Sequence, residues 1–165
     1  MNPADLVTPQ LINFCRPMNT IAICGFTKTG KVTIAKKLAE ELNRKLFISD
    51  DFQYAKPEES LYELIRNISP YHQQRVPIIV EGILCFRLLR KGIQEGVFFP
   101  DLIIKTKCDE KTIRHFYNKD GEGHKIDRAL SFNKGLDKIW NDYLNLLSQN
   151  SWVKTPQFIE LNTSL

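Results

Sequence analysis

The sequence predicts an α/β fold: a parallel sheet of about five strands, covered by helices on both faces. Three observations carry this expectation. The apolar run Thr20-Ile21-Ala22-Ile23-Cys24 leads into the string Gly25-Phe26-Thr27-Lys28-Thr29-Gly30-Lys31, which opens a helical pattern with Ile34, Ala35, Leu38, Ala39 and Leu42. Strand-like and helix-like segments then alternate along most of the chain, as successive βαβ units do. Finally, Pro77-Ile78-Ile79-Val80 is a continuous apolar run, the pattern of a central parallel strand buried on both sides.

Residues 1–18 read as a lead-in arm or short helix packed on the domain, and residues 1–165 as a single domain. The first strand is expected over residues 19–24 and the first helix over 31–43. A short second strand, Lys45-Leu46-Phe47-Ile48, runs into Ser49-Asp50-Asp51-Phe52. Residues 58–69 carry Leu61, Leu64, Ile65 and Ile68 at helical spacing, and the apolar strand after them closes at Glu81-Gly82. Residues 84–91 return to helix and 102–106 to strand; Asp109 is placed to cap a helix reaching Tyr117. The polar, glycine-bearing segment 118–127 interrupts the pattern as a short lid. A long helix over 127–147 and a last strand over 158–161 complete the chain.

In a sheet of this kind ligands collect beyond the carboxyl ends of the strands. That rule gathers the Gly25–Lys31 loop, Asp50-Asp51 and Glu81 at one rim although they are far apart in sequence. A loop of the form G-x-x-x-x-G-K turns backbone N–H groups inward to cradle phosphates, its lysine reaching the β- and γ-phosphates and the next helix offering its positive end. The usual pattern places Ser or Thr directly after the lysine as a magnesium ligand. Here Val32 stands there, and a hydroxyl comes one residue later at Thr33.

Phosphoryl transfer needs charge neutralisation, alignment of the acceptor hydroxyl and a base for its proton. Lys31 supplies charge, Asp50 is placed to take the proton, and Asp51 and Glu81 are candidates for holding Mg2+. Arg114, Lys119, Lys125 and Arg128 flank the lid segment, where cations can close over a triphosphate. The same carboxylates can instead cap local turns, and the same cations can be a solvated helix face. His72, His115 and His124 show no metal spacing, and none is assigned a catalytic role.

Bulk properties narrow the field. A net charge of +4, from 23 basic and 19 acidic residues, suits anionic substrates but is too mild to indicate nucleic acid, and no aromatic-basic platform is visible. Cys15, Cys24, Cys85 and Cys108 are scattered and read as reduced thiols. No run approaches membrane-spanning length, and a cytoplasmic protein without a membrane partner is expected.

With these residues in place, the chain resembles the P-loop kinases of small metabolites, specifically the uridine kinase and nicotinamide riboside kinase group. Residues 25–38 (GFTKTGKVTIAKKL) are similar to that group's nucleotide loop and first helix, Ile48-Ser49-Asp50-Asp51-Phe52 to its Asp-Asp-Phe segment, and residues 78–84 (IIVEGIL) to its Val-Glu-Gly-Ile-Leu strand end. The resemblance covers about residues 20–130 and implies a three-layer P-loop NTPase-like fold, ATP (or another nucleoside triphosphate) with Mg2+, and a small-molecule acceptor. By residue, it implies nucleotide binding by Gly25, Thr27, Lys28, Thr29, Gly30, Lys31, Val32 and Thr33, with Thr33 at the α-phosphate and Arg114 and Arg128 on the lid. Asp50 would be the general base, Glu81 would sit beside substrate and metal, and Asp51, Phe52 and Tyr54 would shape the acceptor pocket.

The chain departs from the group at Val32, in a short stretch between Phe52 and Glu81, and in a lid without a dense arginine pattern. Three readings stay open: a kinase of a nucleoside-like metabolite, a nucleotide-binding protein with weak or no turnover because of Val32, and a kinase acting on a nucleotide or a protein-linked acceptor.

Overall fold

The computed structural model describes residues 2–53 and 56–165. Five strands form one wholly parallel sheet: β1 (Thr20–Gly25), β2 (Lys45–Ile48), β3 (Ile78–Glu81), β4 (Leu102–Lys107) and β5 (Gln157–Asn162). Their spatial order is β2-β3-β1-β4-β5. The helices are α1 (Pro9–Cys15), α2 (Lys31–Leu42), α3 (Pro57–Gln73), α4 (Leu84–Glu95), α5 (Glu110–Lys119) and α6 (Ile126–Gln149).

Alternation along β1 explains the layers. Successive strand residues point to opposite faces. Ile21 and Ile23 pack with Leu11, Ile34 and Leu38 of α1 and α2, whereas Ala22 and Cys24 pack with residues of α3, α4 and α6, among them Leu64, Leu88 and Tyr143. Both faces are therefore apolar, which is why the strand sequence is a continuous run rather than an alternating one. All four cysteines are buried and unbridged, as expected of reduced thiols.

Three elements differ from expectation, the first being α4, which runs four residues past the expected end at Lys91 to Glu95. Helix α3 continues through Pro70 to Gln73, although a proline lacks the N–H that an interior turn donates. The extra turn is anchored from outside: the His72 ring pairs through Nδ1 with Thr20 Oγ1 at 3.0 Å and accepts from Phe99 N–H at Nε2 at 3.1 Å. The lid segment is compact, with Gly123–Lys125 a single 3-10 turn between α5 and α6 and the Glu122 N–H donating to the Tyr117 carbonyl at 2.7 Å. Asp109 caps α5 as expected, accepting from Thr112 N–H at 2.8 Å.

The arm is ordered. A 3-10 turn (Pro3–Leu6) and α1 lie against α2, the Thr8 hydroxyl caps α1, and Lys37 Nζ donates to the Ala4 carbonyl at 2.9 Å. Among the described residues no helix is long and apolar enough to cross a membrane.

The strand order sets the position of the site. After β1 the chain passes to α2 on one face; after β3, which lies beside β1, it passes to α4 on the other. A crevice opens where neighbouring strands send their connections to opposite faces. Ile48, Glu81 and Ile23 stand in register across β2, β3 and β1, so the three loops that follow share one edge.

Candidate active site

The loop between β1 and α2 is built around two left-handed residues, Lys28 (φ 61°) and Gly30 (φ 76°), separated by Thr29. Such alternation curls a backbone into a concave nest of N–H groups. Helix α2 starts at Gly30 without a side-chain cap, leaving its first N–H groups and its positive end to an anion. Close packing fixes the loop at Gly25 and Gly30 and the neighbouring strand end at Gly82. A side chain on Gly25 would strike Thr106, one on Gly30 would strike Pro3, and one on Gly82, across the crevice, would strike Ser49. Thr29 Oγ1 donates to the Phe26 carbonyl and meets Thr106 Oγ1, each at 2.7 Å.

Lys31, Asp50, Glu81 and the loop from Thr27 to Thr33 line one cavity of about 380 Å³, together with Gly82, Ile83 and Tyr117. Lys31 is only 7% exposed, and its ammonium donates to the Phe26 carbonyl and contacts Thr29 Oγ1 at 3.5 Å. Burial lowers its pKa from the ordinary lysine range, while the Glu81 charge works the other way. Glu81 is 2% exposed, and its Oε2 has no hydrogen-bond partner among the described residues. Burial pushes its carboxyl up to about 7; the Lys31 charge pulls it down, and the charges of Asp50 and Asp51 push it further up. The two groups are not within ion-pair distance among the described residues. Each is therefore held toward its neutral form by the same dry surroundings, a state that a polyanion with its counter-cation would relieve.

The donor set fits magnesium. This small cation takes one or two carboxylates, keeping water and phosphate oxygens for its other positions. Asp50 and Glu81 are the two carboxylates lining the cavity, and the orphaned Oε2 is a free acceptor. No cluster of three or more acidic, histidine or cysteine ligands occurs among the described residues. Val32 also lines the cavity but brings no oxygen. Replacing it by threonine adds one where the helix begins, so Val32→Thr is expected to tighten magnesium-dependent ADP binding several-fold. The ratio of ADP affinities with and without Mg2+, measured by calorimetry, checks this; an unchanged ratio would mean that the metal is held without this position.

Not every expected residue lies here. Asp51 is exposed and does not line the cavity, although its charge reaches Glu81. Phe52 packs against the apolar core instead of facing the cavity. Tyr54 lies outside the described residues. Arg114 runs back along its own helix to Glu110, with an Nη2–Oε1 distance of 2.6 Å, and lines neither this cavity nor the neighbouring one. Its turn of α5 explains why: Ile113 and Tyr117, four apart, face inward, so residue 114 is rotated by about 100° toward solvent. Lys28 does line the cavity, but its ammonium bonds Asp120 at 2.6 Å, lies 3.8 Å from Glu122 and stands 5.2 Å from the centre of the Tyr117 ring. Segment 118–127 thus meets the loop through its acidic residues, not its basic ones.

Arg128 lines an adjoining cavity of about 710 Å³ between α4, α5 and α6. Thr27 and Tyr117 are common to both cavities, and the Tyr117 hydroxyl donates to Thr27 Oγ1 at 3.0 Å. Sequence reasoning missed Tyr117, Thr106 and Arg87. Thr106 stands near the carboxyl end of β4, the position the strand-end rule marks, whereas Tyr117 and Arg87 carry only the spacing of helix residues.

Comparison of the sequence with protein-family models and with curated proteins gives no match. Solved structures do resemble it. The YorR protein of Bacillus subtilis, solved in complex with phosphorylated GDP, is 16% identical with a TM-score of 0.53, over 87% of this chain and 85% of that one. A deoxyadenosine kinase from M. mycoides, solved with the products dCMP and a flexible dCDP, is 15% identical with a TM-score of 0.50, over 87% of this chain and 90% of that one. At such identities the likeness shows a shared fold: five parallel strands between helical layers, with a glycine-rich loop after β1.

Proposed function

We propose that the protein transfers the γ-phosphoryl group of ATP to a hydroxyl of a nucleoside or nucleoside-like small metabolite, the reaction of the uridine kinase and nicotinamide riboside kinase group. The observation that carries this reading is the shared cavity: the phosphate nest, a buried lysine and two carboxylates from three neighbouring strand ends line a single space. A phosphate-binding surface alone has no need of a carboxylate facing it, because two negative groups repel. A site that must take a proton from an attacking hydroxyl does need one. The nucleotides bound to the two structural neighbours support the same ligand class for this chain.

Each residue has a role in this scheme. The nest and the start of α2 hold the β- and γ-phosphates, and Lys31 offsets charge that builds on the bridging oxygen as its bond to the γ-phosphorus breaks. Asp50 accepts the proton of the acceptor hydroxyl as that oxygen bonds to phosphorus; ADP is the leaving group. Glu81, with its unpartnered Oε2, would hold magnesium, which neutralises phosphate charge when bound. Glu81 reaches its ionised form more easily when a cation is present.

Val32 favours the second reading, a nucleotide-binding protein with weak or no turnover. Two measurements separate the readings. Millimolar ADP with Mg2+ is expected to raise the melting temperature, because a ligand that binds only the folded state stabilises it by mass action. A screen of nucleosides, vitamins and sugars for ADP release is expected to find an acceptor. Stabilisation without any release supports the second reading, and no stabilisation by any nucleoside triphosphate or diphosphate refutes both.

A further inference from the structure

The cavity beside the phosphate site has a one-sided charge. Arg87 of α4 and Lys125 and Arg128 at the start of α6 stand on its wall, and none of its lining residues is acidic. Lys125 is partly neutralised by Glu122 at 3.5 Å. Arg87 and Arg128 have neither an ion pair nor a hydrogen bond among the described residues, and Arg87 is half-buried. The remaining wall combines the apolar Phe132, Leu136 and Ile139 of α6 with the hydroxyl side chains of Thr27, Tyr117 and Ser131. A guanidinium removed from water without a counter-charge is costly, and a planar fork of N–H donors matches the two oxygens of a carboxylate or phosphate.

We propose that this cavity is the acceptor subsite, and that the acceptor is an amphipathic oxyanion: an apolar or aromatic body bearing a carboxylate or phosphate at the end remote from the hydroxyl that receives the phosphoryl group. The inference rests on the phosphotransfer reading above and narrows its substrate from nucleoside-like metabolites in general to acidic ones. Geometry orients the molecule. The two cavities share the Thr27–Tyr117 wall, so a ligand with its hydroxyl toward Asp50 extends across that wall, lays its body on Phe132 and Leu136, and presents its anion to Arg87 and Arg128. The space of about 710 Å³ accommodates a body of nucleoside size. The transfer step is unchanged, since the remote anion neither forms nor breaks a bond.

The test uses pairs of acceptors in which one member carries a carboxylate and the other does not, each with a free primary hydroxyl: orotidine against uridine, nicotinic acid riboside against nicotinamide riboside, and pantothenate against panthenol. Uridine 3'-monophosphate added to the first pair separates a phosphate from a carboxylate as the favoured anion. ADP release and calorimetric binding in the presence of ADP are read for each compound. The acidic member of at least one pair is expected to have the higher kcat/KM and the tighter binding. Arg87→Gln is expected to raise its KM by about 10- to 100-fold, the worth of a charged hydrogen-bonded pair, with kcat and the ADP-induced melting shift unchanged. Arg87→Lys should recover part of the loss, which a merely structural role would not predict.

Equal or better use of every member that lacks the carboxylate would overturn this inference and leave phosphotransfer standing. So would an acid preference that survives both Arg87→Gln and Arg128→Gln. Absence of any ADP-induced shift together with no ADP release from any compound would instead overturn the phosphotransfer reading, and this inference with it. The comparison of paired acceptors on the unaltered protein stands even if a variant fails to fold.

Discussion

Asp50→Asn is expected to lower turnover by about 10²- to 10⁴-fold, the usual contribution of a positioned proton acceptor, while the rise in melting temperature with ADP stays nearly unchanged. The separation follows from where the residue stands. Asp50 follows β2 and lines the cavity on a different segment from the proposed phosphate loop, and asparagine keeps its shape while removing its basicity. Loss of a repulsive negative charge near the phosphates can even strengthen nucleotide binding slightly. Single-turnover rates and ADP titrations on the two proteins check both halves. Unchanged turnover would remove Asp50 from the proton path, and lost ADP binding would make it part of the nucleotide cradle instead.

Glu81→Gln is expected to produce a pH-dependent gain in stability together with a loss of magnesium-dependent activity. Burial raises the carboxyl from 4.5 to about 7. Between those values the folded form holds a proton that the unfolded chain has released, so the stability this group contributes falls as pH rises through that window and is fully lost above it. A shift of this size corresponds to a penalty on the order of 3 kcal/mol at alkaline pH, worth several degrees in melting temperature for a chain of this length. Glutamine carries no such penalty. The melting temperature of the variant should exceed that of the unaltered protein at pH 8 and match it more nearly at pH 5. Equal differences at the two values would show that Glu81 titrates in the ordinary carboxylate range. Lys31 tempers the gain, since it loses a favourable charge when Glu81 is replaced.

Much of this site was legible because its parts are local. The loop declares itself through two glycines and a lysine at fixed spacing, and Asp50 and Glu81 each stand where an apolar strand stops. That the three meet followed from the parallel sheet alone, without knowledge of the strand order. The pieces that escaped notice depend on helix rotation or on a tertiary neighbour. Arg114 reads as a lid cation until Ile113 and Tyr117 fix which side of α5 faces inward. Arg87 carries no signal in the sequence beyond a place in α4, and only the packing of α6 beside that helix puts it on a cavity wall. Pro70 marks a helix end by local sterics, yet the partners of His72 in β1 and before β4 carry α3 one turn further. The acidic half of the lid was overlooked because Lys28 and Asp120 are 92 positions apart in sequence.

The seat of Pro3 against Gly30 has a consequence for handling the protein. The proline ring occupies the space behind the left-handed glycine, so the first turn of the chain acts as a backstop for the curled loop. Anything that peels this turn away from α2 would remove the packing behind Gly30 and slacken the curl of the loop.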